Sequence, residues 1–284
     1  MSAEKILHFR SQDASYSEST GFWTVNIPEG IAVNEDEYIR IEVINCAVPY
    51  SFYNINRHNY YVDIVESDAD GSNSIAWTFI CPRGNYNVNQ FISIMETQLQ
   101  TQSLASGRGF TYNITWDRYT NTAVYSLVNA NAKCQFLFST GTYKDNSLRR
   151  VMGFTATDVS FTSSTALDTD SVMNMSPFDA VYIHSNLGIT NSYETKSKNL
   201  SNILIKIPIT TLPFSYIQWE NTILLTYASY RTTIQTIELG VKDMDGNNFN
   251  LNNANWYMSI KFIIEKKDSV FQPVRPNDLV NIEM

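Results

Sequence analysis

The chain has 284 residues, 43% hydrophobic and only 17% charged, with 17 Tyr and 15 Phe, so it carries enough apolar mass to fold and is not a disordered tail. A formal charge of −8 and a pI near 4.9 repel phosphate backbones, and nothing basic is denser than the pairs Arg149–Arg150 and Lys266–Lys267, which argues against nucleic-acid binding. No apolar run reaches membrane-spanning length, and the start MSAEKILHFRSQDAS has no signal-peptide core, so the expected setting is a reducing, cytosol-like one.

Residues 1–20 are polar with isolated apolar positions, the pattern of an extended arm anchored through Ile6, Leu7 and Phe9 on a neighbour or on the domain's own edge. Residues 22–28 predict a strand with Trp23, Val25 and Ile27 on one face, and Pro28-Glu29-Gly30 predicts a turn. The longest strand-like run follows at 39–56. In it Ile39, Ile41 and Val43 share one phase, whereas Ile44, Cys46 and Val48 take the other. One extra residue in a strand flips every later side chain, so this switch predicts a β-bulge. Pro49 should end the pairing, and the aromatics Tyr50, Phe52, Tyr53, Tyr60 and Tyr61 need a large surface to receive them. Residues 60–66 and 75–81 alternate around a turn-rich SDADGSN and read as a hairpin.

Residues 83–154 change character. Val88, Phe91, Ile92, Met95 and Leu99 fall at helical spacing behind a cap at Asn85 or Asn87. A hairpin is expected over 112–128 and a strand over 134–138. A short helix over 147–152 should stop at Gly153. The Ser/Thr/Asp-rich 155–178 reads as a long connection. Strands are then expected at 181–185, 203–209, 222–227, 237–241 and 256–264, with a polar loop at 188–201 and an extended tail at 268–284. About eight main strands, four before the middle section and four or more after it, give an all-β fold. It is an antiparallel jelly-roll β-sandwich built from 1–82 and 178–284, interrupted by an inserted α+β subdomain at 83–177. Two β domains in tandem, divided near residue 155, satisfy the same pattern.

Chemistry-bearing patterns are sparse. His8, His58 and His184 stand apart with no ligand spacing, and Cys46, Cys81 and Cys134 read as buried reduced thiols. In that setting the sequons at Asn113 and Asn199 carry no expectation of glycans. Asp243-Met-Asp245-Gly-Asn247 opens like a calcium loop, but Ala254 stands where the bidentate Glu belongs, so a hairpin turn is expected. Asp68 and Asp70 before Gly71 read as a turn, and Glu35 and Glu37 as a solvated approach to a strand. Gly107-Arg-Gly109 fits no phosphate loop, and no GxSxG elbow occurs. No catalytic, cofactor or metal residues are assigned, and the chain reads as a protein whose work is contact and not catalysis. A carbohydrate- or receptor-binding β-sandwich is the alternative, with polar groups from 243–255 and Trp256 as the aromatic.

Several stretches together resemble the vertex (penton) and minor capsid proteins of virophages, Polinton-like viruses and allied double-stranded DNA viruses. They are FRSQDAS at 9–15, FWTVNIPEGI at 22–31, VINCAVPYSFYNIN at 43–56 and RGNYNVNQFISIMETQL at 83–99, followed by LRRVMGF at 148–154, SNILIKIPI at 201–209 and VKDMDGNNFNLNNANWYMSIKFIIEK at 241–266. The resemblance implies a jelly roll standing upright in an icosahedral shell and a homopentamer closing each vertex. It implies an insertion that projects outward, and a place in the virion after synthesis in the host cytoplasm. The implied partners are copies of itself, the major capsid protein, other minor capsid proteins and a host receptor. Phe9 and Arg10 of the arm and Tyr50, Phe52 and Tyr53 are the expected contact residues. A minor capsid or spike-base protein of the same lineage is the alternative within the resemblance.

Overall fold

The computed structural model describes residues 3–176, 178–188 and 202–267. The predicted tail at 268–284, most of the 188–201 loop and the Asn199 sequon lie outside them. The described residues separate into two compact units, one drawn from Met1–Phe52 and Phe178–Met284, the other from Tyr53–Pro177.

The first unit begins with β1 (Ala3–Arg10), which pairs antiparallel along its whole length with the last described strand, so the expected arm is an edge strand of its own sheet. A short β2 (Ser15–Ser17) leads to β3 (Phe22–Ala32). Pro28-Glu29-Gly30 is not a turn but an irregularity inside β3. Gly30 takes a φ of 64°, and the partner strand skips from Thr236 opposite Asn26 to Ile234 opposite Ile31. Pro28 is exposed there and so costs the ladder little. Next, β4 (Glu37–Pro49) carries the predicted bulge: Ser259 pairs with Asn45 but Ile260 pairs with Val43, leaving Ile44 without an opposite residue. Ile39, Ile41 and Val43 before it, and Cys46 and Val48 after it, are therefore all buried in one core.

The second unit opens with β5 (Tyr61–Asp68) and β6 (Ile75–Ile80), the predicted hairpin. Helix α1 (Val88–Ser106) is capped by Asn87, which accepts from the Gln90 N–H while Gln90 returns the bond, a reciprocal capping box. It ends at Gly107 in the left-handed region, and its buried stripe is Phe91, Met95, Leu99 and Ser103. The strands β7 (Tyr112–Asp117), β8 (Thr122–Leu127) and β9 (Ala132–Phe136) follow, then the single turn α2 (Arg149–Met152), closed by Gly153. The expected connection at 155–178 holds two short strands, β10 (Val159–Thr162) on β9 and β11 (Leu167–Asp168) on β8. Segments of four and two residues are too short to show alternation in a Ser/Thr-rich run. Two sheets result, β10-β9-β5-β6 and β11-β8-β7. Because β5 pairs with β9, the hairpin belongs to this unit, and the insertion begins at Tyr53 and not at residue 83. Alternation reveals a hairpin but not the sheet it joins.

The chain then returns to the first unit through β12 (Ala180–Ser185), β13 (Ile203–Pro208), β14 (Tyr216–Glu220), β15 (Thr226–Ser229), β16 (Thr233–Lys242) and β17 (Tyr257–Lys266). The single strand expected at 222–227 is two strands that share the outer edge of β4, on either side of an excursion at 221–225. One sheet runs β1-β17-β4 with β14 and β15 beyond, the other β13-β12-β16-β3-β2. The consecutive pair β3 and β4 lies against the consecutive pair β16 and β17, and both ribbons cross together from one sheet to the other. That wound double ribbon makes the unit a jelly-roll sandwich. Its core joins both sheets through Ile41, Val43, Ile183, Leu239, Trp256 and Phe262. Each such side chain contributes about 1.5–3 kcal/mol on burial.

Candidate assembly surface

The polar groups that could have carried chemistry are each occupied by local structure. His8 Nδ1 sits 3.1 Å from Ser259 Oγ, and His184 Nδ1 2.6 Å from Asn202 Oδ1. Arg57 Nε lies 3.1 Å from His58 Nε2. Asp243 closes a turn: its Oδ1 accepts from the N–H groups of Asp245 and Asn247, and its Oδ2 from Asn247 Nδ2. Asp68 and Asp70 likewise bond within their turn through Ser72 and Asn73, which hold both carboxyls below the usual carboxylate range. Among the described residues no three His, Cys, Asp or Glu groups converge as metal ligands. Trp256 is fully buried against Phe9 and Trp23, at 4.6 and 5.6 Å between ring centroids, so it cannot serve as a sugar platform.

The expected contact residues divide. Phe9 is buried under Trp256, and Tyr50 and Phe52 are buried in a stack with Phe249, whose ring centroid is 4.0 Å from that of Phe52. These three side chains are committed to the core of the first unit. Arg10 is exposed and pairs with Asp13 at 2.6 Å, and Tyr53 is exposed in the second unit. Aromatic density in a sequence reports large buried surfaces equally well whether the chain itself or a partner covers them.

The apolar surface lies elsewhere, on the side of the first unit formed by β14 and β15. Leu212 and Phe214 are each 81% exposed, Ile223 79% and Leu224 73%, with Tyr216, Leu225 and Tyr230 also open to solvent. The backbone holds two of them outward at positive φ, 71° at Phe214 and 53° at Leu224, a region that bulky side chains rarely enter. The excursion at 221–225 is pinned: Asn221 N–H donates to the Ile44 carbonyl at the bulge of β4, and the Asn221 amide and Leu225 exchange two bonds of 2.8 and 2.9 Å. Beside it, a groove of about 420 Å³ runs between β13 and β14–β15, lined by Ile205, Trp219, Ile223 and Tyr227 among others. Burial there pushes the Tyr227 hydroxyl up. A signal for this surface exists in the sequence. Between residues 209 and 230 the single charge is Glu220, in a chain with 17% charged residues, and Ile223-Leu224-Leu225 forms an apolar triplet where a turn was needed.

The sequence matches no protein-family model and no curated protein. Among solved structures, the crystal structure of the mavirus penton protein aligns with 93% of this chain and 100% of its own, at 10% identity and a TM-score of 0.47. The Escherichia coli flagellar cap protein FliD aligns with 94% of this chain over 58% of its own D1–D3 domains, at 10% identity and a TM-score of 0.14.

Proposed function

We propose that the chain is a structural capsid protein that closes the vertex of an icosahedral double-stranded DNA virus as a homopentamer. The observation that carries the reading is where the family-like stretches fall. FRSQDAS ends β1 and turns toward β2, FWTVNIPEGI is β3, VINCAVPYSFYNIN is the bulged half of β4 and its aromatic exit, and SNILIKIPI includes β13. The 241–266 stretch is the β16–β17 connection with β17, while RGNYNVNQFISIMETQL and LRRVMGF are the capped helix α1 and the α2 turn of the insertion. An order of motifs that lands in series on a jelly-roll framework and on its insertion is more than any one motif supplies. The low charge, the buried thiols and the occupied polar groups support a protein that acts by contact. In this reading it meets copies of itself, the major capsid protein and minor capsid proteins in the virion, and the insertion faces outward, where a host receptor is met.

Light scattering with particle imaging of the purified chain tests this. The expected species has about five times the 32.4 kDa chain mass and shows fivefold rings. A trimer would overturn the vertex reading in favour of a minor capsid or attachment protein.

A further inference from the structure

The jelly-roll unit has two unlike sides. On one, the β13 and β14–β15 ends of the two sheets carry the apolar excursion and the groove; on the other, the opposite ends are β1 and β2. Counting large side chains at roughly 200 Å² each, the seven exposed residues Leu212, Phe214, Tyr216, Ile223, Leu224, Leu225 and Tyr230 display on the order of 1,000 Å². The largest apolar patch of an ordinary monomer is about 300–600 Å², and one partner of a stable interface contributes roughly 800 Å². Spread along the edge of β4 from Pro49 to Ile39, the display is large enough in sum for a whole interface. It is also fixed in advance. Asn221 locks the excursion to β4 and to itself, so little conformational freedom remains to be lost on contact.

We propose that this side receives the β1–β2 side of a second copy of the same chain. The opposite side also exposes two large apolar residues, Ile6 on β1 and Tyr16 on β2, with the Tyr16 ring held 4.5 Å from that of Trp23. The groove between β13 and β14–β15 offers space on the scale of such a side chain. A contact of one side with the other is heterologous, and repeated with a rotation that divides the full circle it closes into a ring. A patch-on-patch twofold contact would instead set two protruding 221–225 loops against each other. The proposal locates the interface of the assembly proposed above and rests on that reading only for the number of copies.

The test uses the full chain in two variants that alter exposed side chains. One is Ile223→Asp with Leu224→Asp; the other is Ile6→Asp with Tyr16→Ser. Both are checked for wild-type circular dichroism and melting. Each is expected to fall to monomer mass in light scattering, while an equimolar mixture recovers a dimer. The first variant still offers an intact β1–β2 side and the second an intact β14–β15 side, so one interface can form and no ring can close. A twofold contact would leave the second variant dimeric and overturn the proposal. So would a wild-type chain that stays monomeric at high concentration, or a pentamer indifferent to both variants, which would leave the vertex reading standing. A closed ring of another size that both variants abolish would support the interface and overturn the vertex reading.

Discussion

Glu66 is fully buried in the second unit, where Ser103 Oγ donates to it at 2.9 Å and the Tyr112 hydroxyl donates to its other oxygen. Ser103 in turn accepts the Phe110 N–H, so this carboxyl ties β5 to the end of α1 and the start of β7. Glu66→Ala strands two buried hydroxyl groups and opens a cavity. The expected loss is about 2–4 kcal/mol in denaturant unfolding, against less than about 1.5 kcal/mol for Glu66→Gln, which keeps an acceptor. The three thiols bear on pH. Burial pushes Cys81 up to about 12 and raises Cys46 and Cys134 as well, so the folded chain favours the neutral thiols. A raised folded pKa means that the stabilisation is complete below the unfolded thiol value near 8.5 and is lost as pH rises toward the folded value. The urea midpoint should therefore hold steady at pH 7–8 and decline from about pH 9 upward. Native protein at pH 8 should also leave all three cysteines unmodified by a thiol reagent until it is unfolded. That these cysteines would be buried was legible from their number and spacing. That Glu66 would be buried was not, because its partners lie 37 and 46 residues along the chain.

Among elements, those with a local cause were legible. The helix α1 announces itself by Asn87, Gln90 and an apolar stripe four residues apart, all within the helix and its cap. The bulge in β4 announces itself because the phase change is written in the strand's own side chains. Inserting one alanine between Asn45 and Cys46 would turn Cys46 and Val48 outward and set Ala47 toward the core. The expected cost is on the order of 4 kcal/mol, read by unfolding followed through tryptophan fluorescence. Ile44→Ala, which keeps the residue count and truncates a half-buried side chain, should cost less than about 1.5 kcal/mol. An insertion that left stability unchanged would show that the residue count of β4 has no part in phasing the core. The β14–β15 edge was not legible as two strands. Each is held by β4, about 170 to 190 residues earlier, and the excursion between them breaks any alternation.

On the scale of the whole molecule, the two cores share no buried residue: one runs from Phe9 to Phe262 through both sheets of the jelly roll, the other from Ile55 to Met173. The first unit is interrupted between Phe52 and Phe178, whose rings meet edge to face at 5.7 Å, with Phe249 stacked on Phe52 and edge-on to Phe178. Alternation counted the strands of the jelly roll but could not say which side of Tyr53 the hairpin β5–β6 belonged to, since that is decided by pairing with β9.

The same interruption sets an order of events during synthesis. The strand β4 gains its neighbours β14 and β15 only after the chain has reached residue 229, and β17 only after residue 266. Everything the second unit needs is complete by residue 176. On a ribosome the insertion can fold while β4 still lacks all its partners and β3 has only β2 beside it. Such long-range pairing is slow and leaves strands open to wrong partners. The final strand thus acts as a timer. The β14–β15 edge has no completed sheet to stand on until β17 is in place, so the apolar side of the jelly roll takes its finished form only when the chain is nearly whole.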